Sequence, residues 1–268
     1  MKIAIVTGAS SGMGKEFVKQ LGHCYRSLDE IWVIARREKQ LKELERISKV
    51  PVRILPGDLL RRPVYDKLRD MLERERPDIR MVVNAAGFGK SGTVEEILEE
   101  SRGTQLEMID LNCVALSRVT FCCLPYLSRG SRILFLASAA AFCPQPGFAV
   151  YAATKSYVLS FSRSLGAELR SKGILVTAVC PGPVDTAFFA VSGMPGNPLK
   201  RLTMVQASNV VKRALLDSRA GKEVSVYGLP MKAVHVVTKI LPRRLFLSWM
   251  SRAGKKNKAA VEQSETEK

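Results

Sequence analysis

Hydrophobic residues in this chain of 268 residues fall into short β-rich runs separated by longer stretches with helical spacing. The runs are Lys2 to Val6, Ile31 to Ala35, Val52 to Leu55, Met81 to Asn84, Arg132 to Ala137, Ile174 to Val179 and Glu223 to Tyr227. Strands that alternate with helices build a parallel sheet with helices on both faces. Ile133-Leu134-Phe135-Leu136 is unbroken apolar, as a strand buried on both sides requires. The pattern predicts an α/β fold, a single doubly wound parallel-sheet domain over residues 1–228, with a basic amphipathic extension over 229–268. No internal repeat or low-complexity linker interrupts it. Ligands of such sheets bind beyond the carboxyl ends of the strands, so the chemistry belongs where strands run into loops.

The first such loop is Thr7-Gly8-Ala9-Ser10-Ser11-Gly12-Met13-Gly14, followed by a helical pattern through Phe17, Val18 and Leu21. Glycines there allow a tight turn and bring a pyrophosphate close to backbone N–H groups at a helix N-terminus, the Rossmann arrangement. A nucleoside-triphosphate loop is excluded, because Ala9 stands where its first glycine belongs and Glu16 replaces the magnesium-binding hydroxyl. After the second strand, where an NAD site usually carries an acid, the chain has Arg36-Arg37. Two guanidiniums there favour a ribose 2′-phosphate, hence NADP(H). The plainer alternative is a solvated start to the next helix, with Glu38 paired to Lys42.

Composition narrows the picture. With 46% hydrophobic and 25% charged residues the chain suits one large globular domain. Met1 to Val6 reads as a core strand and not as a cleavable leader. Lys232, Lys239, Arg243 and Arg244 cut the apolar stretches near the C-terminus below the roughly 20 residues of a membrane span. Six cysteines sit mostly in apolar runs with no Cys-x-x-Cys pair, as expected of reduced core residues in a cytoplasmic protein. Two histidines, His23 and His235, leave neither a Ser/His hydrolase nor a catalytic zinc site.

The net charge of +17 is partly a property of the extension. Between Met231 and Lys258 there is no acid, while Lys232, Lys239, Arg243, Arg244, Arg252, Lys255, Lys256 and Lys258 are basic. With 7% aromatics and no nucleic-acid-binding signature, no nucleic acid is expected as a partner. Val234, Val237, Ile240, Leu241, Leu245, Phe246, Trp249 and Met250 recur at helical spacing around Pro242. Three uses suit such a segment: peripheral contact with an anionic membrane, a cover over the substrate pocket, or a contact in a homo-oligomer. The polar residues past Asn257 are expected to be disordered.

The glycine loop, the later Tyr151-Ala152-Ala153-Thr154-Lys155 and their separation resemble the short-chain dehydrogenase/reductase family, over about residues 1 to 228. The resemblance implies a cofactor site of Gly8, Ser10, Ser11, Gly12, Met13 and Gly14. It adds Asp58 and Leu59 near adenine, and Asn84, Ala86 and Gly87 after the fourth strand. Tyr151 and Lys155 belong to the cofactor site too, with Pro181, Gly182, Val184 and Thr186 at the nicotinamide. Ala85 departs from the family's second Asn, and Ser11 stands where some NADP-preferring members carry a basic residue. The family's catalytic Asn, Ser, Tyr and Lys correspond to Asn112, Ser138, Tyr151 and Lys155.

Reducing a ketone takes a hydride to carbon and a proton to oxygen, so an acid poised near neutral pH is needed. A free tyrosine, at about 10, is a poor match. Lys155, four residues on, shares a helix face with Tyr151, where its ammonium is expected to lower the phenol pKa and hold the cofactor ribose. Ser138, at a strand end, is expected to orient the substrate oxygen, strand capping being the plainer alternative. Asn112, in the helical pattern Leu106 to Tyr126, either holds a relay water or lies on the surface. Ala187 to Leu199, rich in Gly and Pro, reads as a substrate lid or a plain loop. Phe142, Phe148, Phe188, Phe189 and Met194 are expected to border the nicotinamide region and point either to an apolar alcohol or ketone, steroid-like or fatty-acyl-like, or to packing of the lid. The competing reading is an NADP(H)-binding sensor or scaffold without turnover.

Overall fold

The computed structural model describes residues 1–25, 27–186, 204–240 and Arg244. The expected lid, with Phe188, Phe189 and Met194, lies outside the described residues, as do Leu241, Leu245, Phe246, Trp249 and Met250 of the extension.

The strands are β1 (Lys2–Thr7), β2 (Glu30–Ala35), β3 (Val52–Pro56), β4 (Asp78–Asn84), β5 (Leu127–Leu136), β6 (Leu175–Val179), β7 (Val184–Asp185), β8 (Val205–Gln206) and β9 (Val224–Ser225). Seven of them form one sheet in the order β3-β2-β1-β4-β5-β6-β9, and every neighbouring pair is parallel. The order reverses between β1 and β4, which opens a crevice at their carboxyl ends. All seven expected runs are strands of this sheet. The parallel pair β7–β8 was not legible in the sequence, because each strand is only two residues long.

The helices are α1 (Gly12–Cys24), α2 (Glu38–Lys42), α3 (Leu44–Ile47), α4 (Pro63–Glu75), α5 (Val94–Glu100), α6 (Thr104–Ile109), α7 (Leu116–Cys123), α8 (Ala149–Leu169), α9 (Ala207–Arg219) and α10 (Leu229–Ile240). Strand alternation distributes them. Ile3, Ile5, Trp32 and Ile34 face one core, with Leu68 and Leu72 of α4, Val119 of α7 and Val158 of α8. Ala4, Val6, Ile31 and Val33 face the other, with Phe17 and Leu21 of α1, Leu44 of α3 and Val210 of α9. Each large apolar side chain buried this way contributes about 1.5–3 kcal/mol relative to exposure.

β5 starts earlier than the apolar pattern suggested, because polar bonds draw Leu127 to Ser131 onto β4. Arg80 Nη1 donates to Ser128 Oγ (2.6 Å), and Ser131 Oγ donates to the Ile79 carbonyl (2.7 Å). The stretch Thr104–Tyr126 is long and apolar enough to cross a membrane, but half of its most apolar window is buried within the domain. It joins α6 to α7 through a π-helical segment, Asp110–Ala115, whose Asn112 is wholly buried.

Asp217 fastens α9 to β9. Its carboxylate, 5% exposed, pairs with Arg213 Nε (2.9 Å) and Lys222 Nζ (2.9 Å) and accepts from Ser225 Oγ (2.9 Å). Burial alone would raise its pKa, but the bonds from Lys222, Arg213 and Ser225 bring it below the usual 3.8. A lowered carboxyl pKa stabilises the fold above the unfolded value, and that contribution is lost as pH falls through the folded one. Asp217→Asn is expected to cost about 2–3 kcal/mol at neutral pH by urea denaturation. The gap from wild type should close on acidification; a pH-independent gap would assign the loss to packing.

Candidate active site

β1 runs into the glycine loop, where close packing explains the glycines. A Cβ on Gly8 (φ +65°) would lie 2.7 Å from the Ala86 nitrogen, and one on Gly14 2.3 Å from the Gly8 carbonyl oxygen. Gly12 (φ +51°) faces Thr186 from across the crevice, its Cβ position 3.4 Å from that of the threonine. Ser11 begins α1 in extended conformation without a side-chain cap, and the first turn contains no acid. The α1 N-terminus therefore offers unneutralised N–H donors and a partial positive charge, as a pyrophosphate requires. Met13 is half-buried behind the loop against the second core.

Arg36 and Arg37 are both exposed at the end of β2. Arg37 reaches back to the loop, donating from Nη2 to Ser11 Oγ (2.8 Å) and Ser10 Oγ (3.1 Å). A guanidinium thus occupies the region beside Ser11 although residue 11 is not basic. Asp58 is turned inward on its own loop, accepting from the Leu60 nitrogen (3.0 Å), and Leu59 is buried. The residues present fit a dinucleotide with an extra phosphate on its adenosine ribose: a glycine cradle, a helix N-terminus and two arginines.

The loop after β4 is tied down from both sides. Thr7 Oγ1 accepts from the nitrogens of Ala85 (3.1 Å) and Ala86 (3.2 Å), so a side-chain hydroxyl holds the backbone of Ala85 where the family has a second Asn. The Asn84 side chain donates to Thr120 Oγ1 (3.1 Å), and its buried Oδ1 has no hydrogen-bond partner among the described residues. Asn112 binds the same loop: its Oδ1 accepts from the Phe88 nitrogen (3.1 Å), and its Nδ2 donates to the Phe88 carbonyl (2.9 Å) and Thr154 Oγ1 (3.0 Å). Asn112 is therefore neither a surface residue nor free to hold a water with its whole amide. It staples the Gly87-Phe88 loop to α8. Gly87 has to be small, since a Cβ there would lie 2.7 Å from Asn112 Oδ1 and 3.5 Å from Lys155 Nζ.

β5 ends beside Ser138, which opens a 3₁₀ turn, Ala139–Phe142, and accepts from the Ala140 nitrogen (3.1 Å). Its hydroxyl thus caps the 3₁₀ turn and not the strand, and it also hydrogen-bonds Tyr151. Tyr151 is 7% exposed in the first turn of α8, and Lys155 is 5% exposed one turn later. Lys155 Nζ lies 5.6 Å from the Tyr151 ring centroid and donates to the Leu136 carbonyl (2.8 Å). Burial lowers the Lys155 pKa to about 8, against the effect of nearby Cys113 and Cys180. Burial pushes the Tyr151 phenol up to about 12, and the bond to Ser138 pulls the other way. The sequence-based expectation of a lowered phenol pKa is thus corrected. Desolvation wins because the ammonium sits over the ring face, bonded to a carbonyl, and not at the hydroxyl.

Apolar side chains wall this group. Phe148 stacks on Tyr151 at 4.3 Å between centroids, with Phe88, Val150 and Met108 around them. The Ala139 nitrogen donates to the Pro181 carbonyl (2.8 Å), joining the serine turn to Pro181-Gly182, with Val184 buried beyond. α10 closes the far side. Met231 Sδ lies 2.6 Å from where a Gly182 Cβ would be, and the His235 ring packs on Phe142 at 4.2 Å. Phe88 and Met231 were not singled out in the sequence, and His235 was weighed there only as a hydrolase or zinc residue. Phe88 adjoins a loop that was singled out, whereas Met231 and His235 reach the site only through long-range packing.

The sequence model of the short chain dehydrogenase family matches residues 2–193. Very-long-chain 3-oxoacyl-CoA reductase of Rattus norvegicus is 30% identical over 252 residues, covering 91% of this chain and 76% of the relative. 17-beta-hydroxysteroid dehydrogenase type 3 of Mus musculus is 28% identical over 254 residues, covering 91% and 78%. A short-chain dehydrogenase from Sphingobium yanoikuyae in complex with NADPH superposes with a TM-score of 0.74 at 25% identity, covering 97% of this chain and 96% of that one. The cradle at the β1–β4 crevice, the half-buried Ser138 with the buried Tyr151 and Lys155, and a match over most of the chain place this protein in the short-chain dehydrogenase/reductase family of oxidoreductases.

Proposed function

We propose that this chain is an NADP(H)-dependent enzyme that interconverts a ketone and a secondary alcohol on an apolar substrate, steroid-like or fatty-acyl-like. The observation that carries the reading is the convergence of Ser138, Tyr151 and Lys155 in one water-poor pocket beside the glycine cradle. The nicotinamide, when bound, supplies or accepts the hydride.

The chain's own residues handle the proton. Tyr151, held protonated through neutral pH by burial, is the donor to a ketone oxygen. Ser138, fixed by Ala140, positions that oxygen against the phenol. Lys155, with a pKa near 8, exchanges protons at working pH, and its Nζ lies 5.6 Å from the centroid of the ring that carries the phenolate left behind. Asn112 is a positioning residue that keeps the Gly87-Phe88 loop against α8.

The apolar substrate class is supported by the Phe88, Phe142 and Phe148 wall and by the names of the mouse and rat relatives. NADP(H) is supported by Arg36 and Arg37 and by the NADPH held in the Sphingobium relative. We also assign a homo-oligomer to the exposed face of α7 and α8. There Phe121 (56% exposed) meets Phe161 edge-on at 6.2 Å and Tyr157 (44% exposed) stacks on the same ring. Light scattering that returns a monomer would remove that assignment.

A panel of steroid and acyl ketones followed by NADPH absorbance should give turnover, with Tyr151→Phe at least about 100-fold slower and NADPH affinity retained. NADPH binding with no turnover across the panel would favour a sensor; full rate in Tyr151→Phe would refute the mechanism. Replacing Arg36 and Arg37 together with Ala should weaken NADPH binding by about 10- to 100-fold and NADH by less than about threefold, measured by fluorescence titration. Equal loss for both cofactors would contradict the NADP(H) assignment.

A further inference from the structure

We propose that the outer face of α10 docks onto an anionic lipid bilayer and holds the mouth of the cleft at the membrane surface. The inference goes beyond the reduction chemistry and does not depend on it.

α10 is apolar on two opposite sides. Its inner side is accounted for: Met231 packs on Gly182, His235 packs on Phe142, and Thr238 returns its hydroxyl to the Val234 carbonyl (2.9 Å). At about 100° per residue, Leu229, Ala233, Val236, Val237 and Ile240 fall on the opposite arc. They are open to solvent, Leu229 at 80%, Val236 at 52%, Val237 at 45% and Ile240 at 76% exposure. A helix that is packed and half-buried along one side does not gain by showing a second, apolar side to water, so this stripe marks a contact.

Charge selects the occupant. Lys232 and Lys239, both exposed, border the stripe on one edge, and no acid occurs from Val224 to Val261. The 28 residues after Ile240 add Arg243, Arg244, Arg252, Lys255, Lys256 and Lys258, with Leu245, Phe246, Trp249 and Met250 among them. A second copy of the chain would set these cations against their own images across a two-fold contact. Apolar anchors beside lysines, with aromatic and basic residues in the chain that follows, match the acyl boundary and headgroup phosphates of an anionic leaflet. Because the inner side of the same helix lines Phe142 and Gly182, docking would bring the cleft within reach of lipid-dissolved substrates.

The test is flotation of the full chain with phosphatidylcholine vesicles, with and without about one-third phosphatidylglycerol. The wild type should bind the anionic vesicles at least tenfold better, and added salt should weaken the binding. Leu229→Ser/Val236→Ser/Ile240→Ser should lower partition about tenfold or more with oligomeric mass and melting temperature unchanged. Should that variant misfold, Lys232→Gln/Lys239→Gln keeps the stripe and should lose several-fold of the anionic preference. The proposal is overturned if the wild type ignores anionic vesicles, if the folded variants bind as the wild type does, or if loss of the stripe lowers oligomeric mass and not vesicle binding.

Discussion

A lysine ammonium with almost no water around it is the constraint on which this site is built. Lys155 is 5% exposed, and it donates to the Leu136 carbonyl at the end of β5. A buried cation is costly unless oriented dipoles replace its hydration. The surrounding residues follow from that need. The first turns of α8 aim Lys155 back toward the strand ends, Gly87 leaves room above it, and Asn112 pins the Gly87-Phe88 loop that forms its roof. Its nearest titrating neighbours, Cys113 and Cys180, are neutral thiols near pH 7, since burial raises both. The same burial that depresses the lysine raises Tyr151, so the pocket holds a reluctant cation and a reluctant acid side by side. The two shifts push the pKa values apart, the phenol up to about 12 and the ammonium down to about 8, so the lysine gives up its proton long before the phenol does.

The fold supplies this pocket from four places. Parallel strands deliver every loop to one edge of the sheet, and the reversal between β1 and β4 leaves a crevice there. The glycine loop fills one side of it, with Gly8 packed on Ala86 and Gly12 facing Thr186, while Arg37 leans over from β2. The serine turn after β5 is joined to Pro181 after β6 by a single backbone bond. α10, far along the chain, lays Met231 and His235 against that junction. One helix therefore touches the site with one side and carries an apolar stripe on the other.

How much of this could be read in the sequence depends on what each element rests on. The seven sheet strands were legible because both faces are buried, which writes an apolar run into each. The start of β5 was not, because Ser128, Ser131 and Arg80 hold it by polar bonds that leave no periodicity. The glycine loop and the Tyr151–Lys155 pair were legible as spacings. The direction of the Tyr151 shift was not, since spacing places a cation nearby but carries no information on burial. Asn112 was visible as a helical residue, yet the π-helical segment that turns its amide onto Phe88 and Thr154 is a backbone feature. Met231 and His235 carry no local signal of the site they touch.

Whether the Lys155 ammonium titrates near neutral pH can be read from a side-chain ¹⁵Nζ NMR titration of the lysine-labelled, cofactor-free protein, with Lys155→Met to assign the resonance. Burial of the ammonium should give a midpoint near 8. A midpoint at the ordinary 10.5 would mean that the pocket does not desolvate it.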